Sequence, residues 1–275
     1  MTPPHDPPAQ AAVVGTGRWI AAARALETAR PDRLFNDPWA ELLAGESGKA
    51  TLEAADYNPF LPVRTRYFDD RILGAAQKHS QIVLLGAGLD TRAFRLPFPG
   101  SCTVFEIDYA EAFTEKEAIL RTTPARCERR CVHADLSGPW SQALLDAGFD
   151  RRTPTIWVAE GLFFYLAEAD AESLVCDTAA LSAGGSTFLA DLFGTGLLAL
   201  EGMAPLVAAR RSAGRPLPFC TDSPETLFRA GGWSESTVVQ PGQPAANFGR
   251  LAQVPGARDA GQQTNLRTYL LTATL

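Results

Sequence analysis

The chain has 275 residues, 46% of them apolar, enough to bury one substantial core without a second independent domain. A net charge of −6 counts against a phosphate-backbone partner, because nucleic-acid binders carry a basic face. Five cysteines without the paired spacing of secreted proteins point to a reducing compartment, and no apolar run approaches the ~20 residues that span a bilayer, so a soluble, cytoplasmic protein away from membranes is expected.

The start of the chain, 1–10, is rich in proline and lacks the basic-then-apolar order of a signal peptide, so it reads as a disordered tail ahead of a single domain over 11–275. Ala11 to Ala29 sets Trp19, Ala22, Ala23 and Leu26 at helical spacing and stops at Pro31. Further helices are expected over Pro38 to Leu43 and Val63 to Gln77, giving a helical cover over 11–77. Strands then alternate with helices: strands near 82–85, 102–107, 129–132, 155–159 and 186–191, helices near 110–120, 140–147 and 167–181. That alternation predicts an α/β fold with a mostly parallel sheet and right-handed crossovers. The order breaks after Asp191, where 192–222 reads as an inserted lid over a ligand cleft. The closing run Tyr269 to Leu275 reads as a strand, with Thr237 to Gln240 beside it in a terminal hairpin.

The most informative segment is Ile82-Val83-Leu84-Leu85-Gly86-Ala87-Gly88-Leu89-Asp90. Four apolar residues without alternation suit a strand covered on both faces, and Gly86 and Gly88 allow a close backbone approach to a bound molecule. A second strand ends in Glu106-Ile107-Asp108, with Glu106 twenty residues after Gly86. That is the spacing at which a nucleotide-binding fold places a carboxylate on ribose hydroxyls. The third glycine of a dinucleotide site is replaced by Thr91, preceded by Asp90. A carboxylate there repels a pyrophosphate but tolerates an ammonium or sulfonium group, which favours S-adenosylmethionine as cofactor. Asp90 also suits the cap of the following helix, and both roles can hold together.

Three further strand ends carry acids: Asp135, Glu160 and Asp191. In an open parallel sheet the ligand lies over the carboxyl ends of the strands, so these side chains are expected to line one crevice. Cys127, Cys131 and His133 lack a fourth ligand and a Cys-x-x-Cys knuckle, so no metal is expected.

The motifs LLGAGLDTRAFRL at 84–96, VFEID at 104–108, ADL at 134–136 and WVAEGLFFYL at 157–166 resemble the leucine carboxyl methyltransferase family, including bacterial members that methylate polyketide or other small-molecule carboxylates. The segments RALETARPDRLFNDPWAELL at 24–43 and VRTRYFDD at 63–70 are similar to that family too. The resemblance runs from about Ala11 to Leu181 and is weak beyond Asp191, which leaves the acceptor side open. It implies a class I, Rossmann-like methyltransferase fold with a C-terminal antiparallel strand. By motif it places Gly86 and Gly88 at the methionine part of the cofactor, Glu106 and Asp108 at the ribose, and Asp135 with the backbone of Leu136 at the adenine amino group. Glu160 then faces the methionine ammonium or the sulfonium, and Arg64 the cofactor carboxylate, a role that suits a bidentate guanidinium. Arg24 is either a second basic contact or a solvent-facing helical arginine. Arg66, Arg92 and Arg95 read as structural ion-pair partners.

Methyl transfer from a sulfonium needs alignment and a dry cleft more than acid or base help. The sequence holds three histidines, His5, His79 and His133, none placed among the strand ends, so an acceptor that is already an anion fits best. Arg210, Arg211 or Arg215 could hold the carboxylate of a small-molecule acid, at least two of them being a solvated basic turn, and Tyr165 could reach the cleft or pack against the cofactor. The expected reaction is O-methylation of that carboxylate to a methyl ester in secondary metabolism. A phenolic or hydroxyl acceptor, a nicotinamide-dependent oxidoreductase and a cofactor-binding protein without turnover stay open as alternatives.

Overall fold

The computed structural model describes residues 7–55, 58–251 and 266–275. Three helices open the chain: α1 (Pro7–Thr28), α2 (Ala40–Ala54) and α3 (Phe60–Ala76). The sheet region follows as β1 (Gln81–Leu85), α4 (Arg92–Arg95), β2 (Thr103–Asp108), α5 (Ala110–Leu120), β3 (Glu128–His133), α6 (Trp140–Asp146), β4 (Thr155–Ala159), α7 (Glu168–Ala180) and β5 (Thr187–Phe193). Then come α8 (Ala204–Ser212), α9 (Pro224–Ala230), β6 (Glu235–Val239) and β7 (Thr268–Thr274). The sheet order is β3-β2-β1-β4-β5-β7-β6, with β1 to β5 parallel and β7 antiparallel to both β5 and β6. This is the expected mostly parallel α/β sheet with its terminal hairpin.

The absence of alternation in β1 has its cause in the layering. Val83 and Leu85 face a core layer with Phe105, Trp140, Trp157 and Phe188, whereas Ile82 and Leu84 face another with Val63, Phe68, Ile72 and Val104. Both faces of the strand are therefore apolar. Parallel register then brings Leu84 beside Glu106 on one side and Val158 on the other, so the ends of β1, β2 and β4 converge.

Several boundaries differ from the sequence expectation. Helix α1 begins at Pro7, so Pro7 to Gln10 are helical and do not belong to a tail; residues 1–6, the rest of that expectation, lie outside the described residues. Proline at a helix start costs no hydrogen bond, because the first N–H groups have no intrahelical acceptor anyway. Helix α2 continues past Leu43 to Ala54 across a break at Gly45, whose φ of +56° a glycine adopts freely. Leu192 and Phe193 remain in β5, and the rest of the 192–222 insertion is two short 3-10 turns, α8 and an extended return. That return is fastened to the sheet by Phe219 N–H on the Leu166 carbonyl at 3.1 Å and Thr221 N–H on the Phe193 carbonyl at 2.9 Å.

Candidate active site

A crevice of about 430 Å³ opens over the carboxyl ends of the strands, lined by residues from α1, α3, the turn after β1, the ends of β2 and β4, and α8. Gly86 and Gly88 both take left-handed backbone, with φ of +66° and +44°. Their uses differ. A Cβ at Gly86 would stand 3.0 Å from Leu162 Cδ1, whereas at Gly88 nothing in the protein comes nearer than 3.9 Å. Gly86 therefore permits close packing, and Gly88 leaves open the volume into which a ligand fits.

The Gly88 N–H donates to Asp108 Oδ2 and the Tyr109 N–H to Oδ1, each at 2.7 Å. Burial pushes the Asp108 carboxyl up, and these two N–H groups with the charge of Lys116 pull it back. The Gly88 N–H is thus taken up by the acid, and what the turn offers the crevice there is its Cα surface. At the next strand end Asp135 accepts from Tyr109 Oη at 3.0 Å, from the Ser137 N–H at 2.9 Å and from Ser137 Oγ at 2.7 Å, and lines the crevice with Leu136.

Glu106 is the principal correction. It is fully buried, accepts from Lys116 Nζ at 2.8 Å and Arg129 Nη2 at 2.6 Å, and does not line the crevice, so it is not placed to reach the ribose. Glu106 and Asp108 share a strand face, but Asp108 sits at the strand end while Glu106 lies one repeat deeper, under α5.

A charged network forms another part of the crevice wall. Arg64 donates from Nε to Glu160 and from Nη1 to Asp191, each at 3.0 Å. Arg92 bridges Asp69 at 2.7 Å and Asp90 at 2.5 Å, and its Nη2 lies 2.6 Å from Glu160 Oε2, an ion pair without hydrogen-bond alignment. Arg95 binds Asp69 through both terminal nitrogens. Burial pushes the Asp90 carboxyl up, but Arg92, Lys116, Arg95 and the Arg92 N–H outweigh it and bring it to about 2. Arg64, Arg92, Arg95, Asp90 and Glu160 all line the crevice, so the ion-pair partners are also its wall. Asp191 does not line it; from behind, it holds Arg64 and accepts the Gly161 N–H. The Arg66–Asp70 pair stands apart on the surface.

Arg24 does not face solvent. It is 9% exposed, donates to Asp37 and to the Leu89 carbonyl at 2.8 Å each, and lines the crevice. On the other rim stand Tyr165, 37% exposed, and Leu206, Arg210 and Pro218. Arg211 and Arg215 do not line the crevice. Arg24, Arg64, Arg92 and Arg95 each hold a carboxylate, whereas the Arg210 guanidinium has no carboxylate partner among the described residues and donates to the Pro216 carbonyl at 3.4 Å. Neither His79 nor His133 lines the crevice, and His5 lies outside the described residues. Sequence reasoning missed Tyr109, whose signal was its place directly after Asp108. It also missed Thr16, Gly17 and Ile20 of α1, because which face of a covering helix meets the crevice is settled only by docking.

The crevice thus combines an open glycine turn, the Asp108 carboxylate bonded to it, Asp135 with Leu136, and arginine with glutamate. Residues 18–179 match the family model for leucine carboxyl methyltransferase. A protein of Frankia alni, provisionally named an S-adenosyl-L-methionine-dependent methyltransferase, is 37% identical over 90% of this chain and 92% of its own. A relative of that same name from Parafrankia is 44% identical over 62% of this chain, a match that spans 61% of the relative's length. The crystal structure of a provisionally named methyltransferase from Thermobifida fusca shares the fold, with a TM-score of 0.60 at 16% identity over 94% of this chain and 93% of that one. The chain belongs to the leucine carboxyl methyltransferase family, and with it to the S-adenosylmethionine-dependent methyltransferases.

Proposed function

We propose that this chain converts the carboxylate of a small-molecule acid to its methyl ester. When bound, S-adenosylmethionine supplies a methyl group already activated on a sulfonium centre. The chain's own residues supply placement. Asp108 holds the ribose, Asp135 and Leu136 the adenine edge, Gly86 and Gly88 the space beside the methionine part, and Arg64, Arg24 and Glu160 the charged amino-acid end. Glu160, tied by two arginines, stands near the reacting centre without being free to move. The insertion after β5 acts as the lid, its Leu206 and Pro218 joining Ile20, Leu162 and Phe164 to wall off water around an apolar acceptor body. Such walls suit a polyketide-like or other metabolite acid.

The observation that carries the reading is Arg210, the crevice arginine whose guanidinium no carboxylate of the described residues neutralises. A fork of N–H donors is matched to a carboxylate, and an acceptor already ionised needs no base. Tyr165, which also lines the crevice, orients the acceptor in this reading. The test is incubation with methyl-labelled S-adenosylmethionine and a panel of apolar acids and phenols, followed by mild alkali. Label released by alkali, with KM for the acid raised about tenfold or more in Arg210→Met and cofactor affinity kept, supports the ester reading. Alkali-stable label would sink it and promote a phenolic acceptor.

A further inference from the structure

We propose that Asp191 is a positioning residue for the cofactor: from behind the crevice wall it fixes the Arg64 guanidinium so that one terminal nitrogen is left for the cofactor carboxylate. This rests on the reading that Arg64 takes that carboxylate.

Asp191 stands near the end of β5, beside Leu270 of β7, and its side chain is fully buried. A carboxylate in such a place is costly unless its oxygens find donors. Both do. Oδ2 accepts from Arg64 Nη1 at 3.0 Å, and Oδ1 from the Gly161 N–H at 2.5 Å. One donor comes from α3 and the other from the turn after β4, and both residues line the crevice, which Asp191 itself does not. The acid thus acts on the crevice only through the two residues it holds.

Arg64 is held from several sides. Glu160 takes Nε at 3.0 Å, Asp191 takes Nη1, and the Phe60 ring stands against the guanidinium with its centroid 5.5 Å from Cζ. Nη2 has no acceptor among the described residues, so it is the terminal nitrogen left to a ligand. A planar guanidinium is oriented only when it is held at two points, and the bond to Glu160 is one. Glu160 also answers to Arg92, 2.6 Å away, whereas the oxygens of Asp191 are spent on Arg64 and the turn beside it. That turn completes the seat. Gly161 takes a φ of +69°, and a Cβ on it would stand 3.1 Å from Arg64 Nη1, so its bare Cα lets the backbone lie against the guanidinium. By holding the Gly161 N–H and Nη1 together, Asp191 keeps Arg64 between its own carboxylate and the turn.

The experiment is calorimetric binding of two ligands to the full chain: S-adenosylhomocysteine, and methylthioadenosine, a nucleoside thioether of the same kind without the amino-acid end. Asp191→Asn keeps the size of the side chain but offers a single acceptor oxygen where two are used, so Arg64 or the turn is released. Affinity for S-adenosylhomocysteine should fall about tenfold or more, as expected when a charged hydrogen bond is lost. Affinity for methylthioadenosine, which has no carboxylate for Arg64, should stay within about twofold, as for independent sites. A role in fold stability alone would not separate the two ligands. If this variant does not fold, Gly161→Ala keeps Asp191 and presses on Arg64 Nη1 from the turn side, and should show the same selectivity. Equal losses for both ligands, or none, in a variant that folds overturn the proposal and leave Asp191 a fastening of the fold. Arg64→Lys separates the two readings. Without a selective loss there, the assignment of Arg64 to the cofactor carboxylate itself fails. A selective loss there that is absent from the Asp191 and Gly161 variants defeats only the present inference.

Discussion

The backbone N–H of Gly88 donates to the Asp108 carboxylate at 2.7 Å, so the turn after β1 and the end of β2 form one unit. Asp108→Ala should therefore act twice, removing the ribose acceptor and releasing the turn. We expect cofactor affinity to fall by about 1–3 kcal/mol, the cost of a charged hydrogen-bond partner. Calorimetry with S-adenosylmethionine measures it; an unchanged dissociation constant would leave the ribose without an assigned acid, since Glu106 is out of reach.

Gly88 offers a steric test. Its φ of +44° makes a β-branched residue strained, so Gly88→Val would confound folding with binding. Gly88→Ala is cleaner, with a strain of about 1–2 kcal/mol. Because no protein atom lies within 3.9 Å of the added Cβ, the methyl takes up crevice space. Thermal unfolding should shift only modestly while affinity falls tenfold or more, about 1.4 kcal/mol. Equal affinity would show that the ligand passes elsewhere.

How much of this was legible in the sequence follows the physics of each element. Strands β1 and β4 stood out because burial on both faces demands uninterrupted apolar runs, and of the acids at the strand ends Asp108, Asp135 and Glu160 line the crevice. The choice between Glu106 and Asp108 did not show. Strand period 2 gives both the same face, and only the depth of α5 and β3, carrying Lys116 and Arg129, decides which acid is covered. Arg210 and Arg211 are equivalent in the sequence, yet neighbours on a helix point about 100° apart and only the docking of α8 selects one.

Arg64 lets structure and the proposed binding role be tested in one side chain. Arg64→Lys keeps the charge but cannot donate from a fixed fork to Glu160 and Asp191 together. Stability without cofactor should drop by about 1–3 kcal/mol in urea unfolding, the cost of a lost buried hydrogen bond. Cofactor affinity should fall with it. A drop in stability alone would confine Arg64 to holding the ends of β4 and β5.

Asp90 gives a pH signature. Its folded carboxyl sits at about 2, below the ordinary 3.8, so it stabilises the fold above the ordinary value and loses that contribution as pH falls toward the folded one. Asp90→Asn should be less stable than wild type by a constant margin above about pH 4.5, and the margin should narrow below that. Urea midpoints at neutral pH and at successive acid steps measure it. A margin unchanged by acid would mean that the Asp90–Arg92 contact contributes through shape and not charge.

The acceptor's chemistry is readable in a pH–rate profile. A carboxylate nucleophile is ionised throughout the neutral range, so methyl transfer should stay nearly flat from about pH 6 to 8. No proton leaves in the step, and among the described residues no histidine lines the crevice to take one. A phenol, with an ordinary pKa of about 10, would instead climb roughly tenfold per unit across that range unless a base assisted it. Two of the crevice carboxylates are poor candidates for that base, since Glu160 is fixed by Arg64 and Arg92, and Asp90 by Arg92. A slope near one with the best acid in the panel would overturn the carboxylate assignment. A flat profile that turns steep only when a phenol analogue replaces the acid would show that the chain contributes alignment and Arg210, and leaves deprotonation to the acceptor itself.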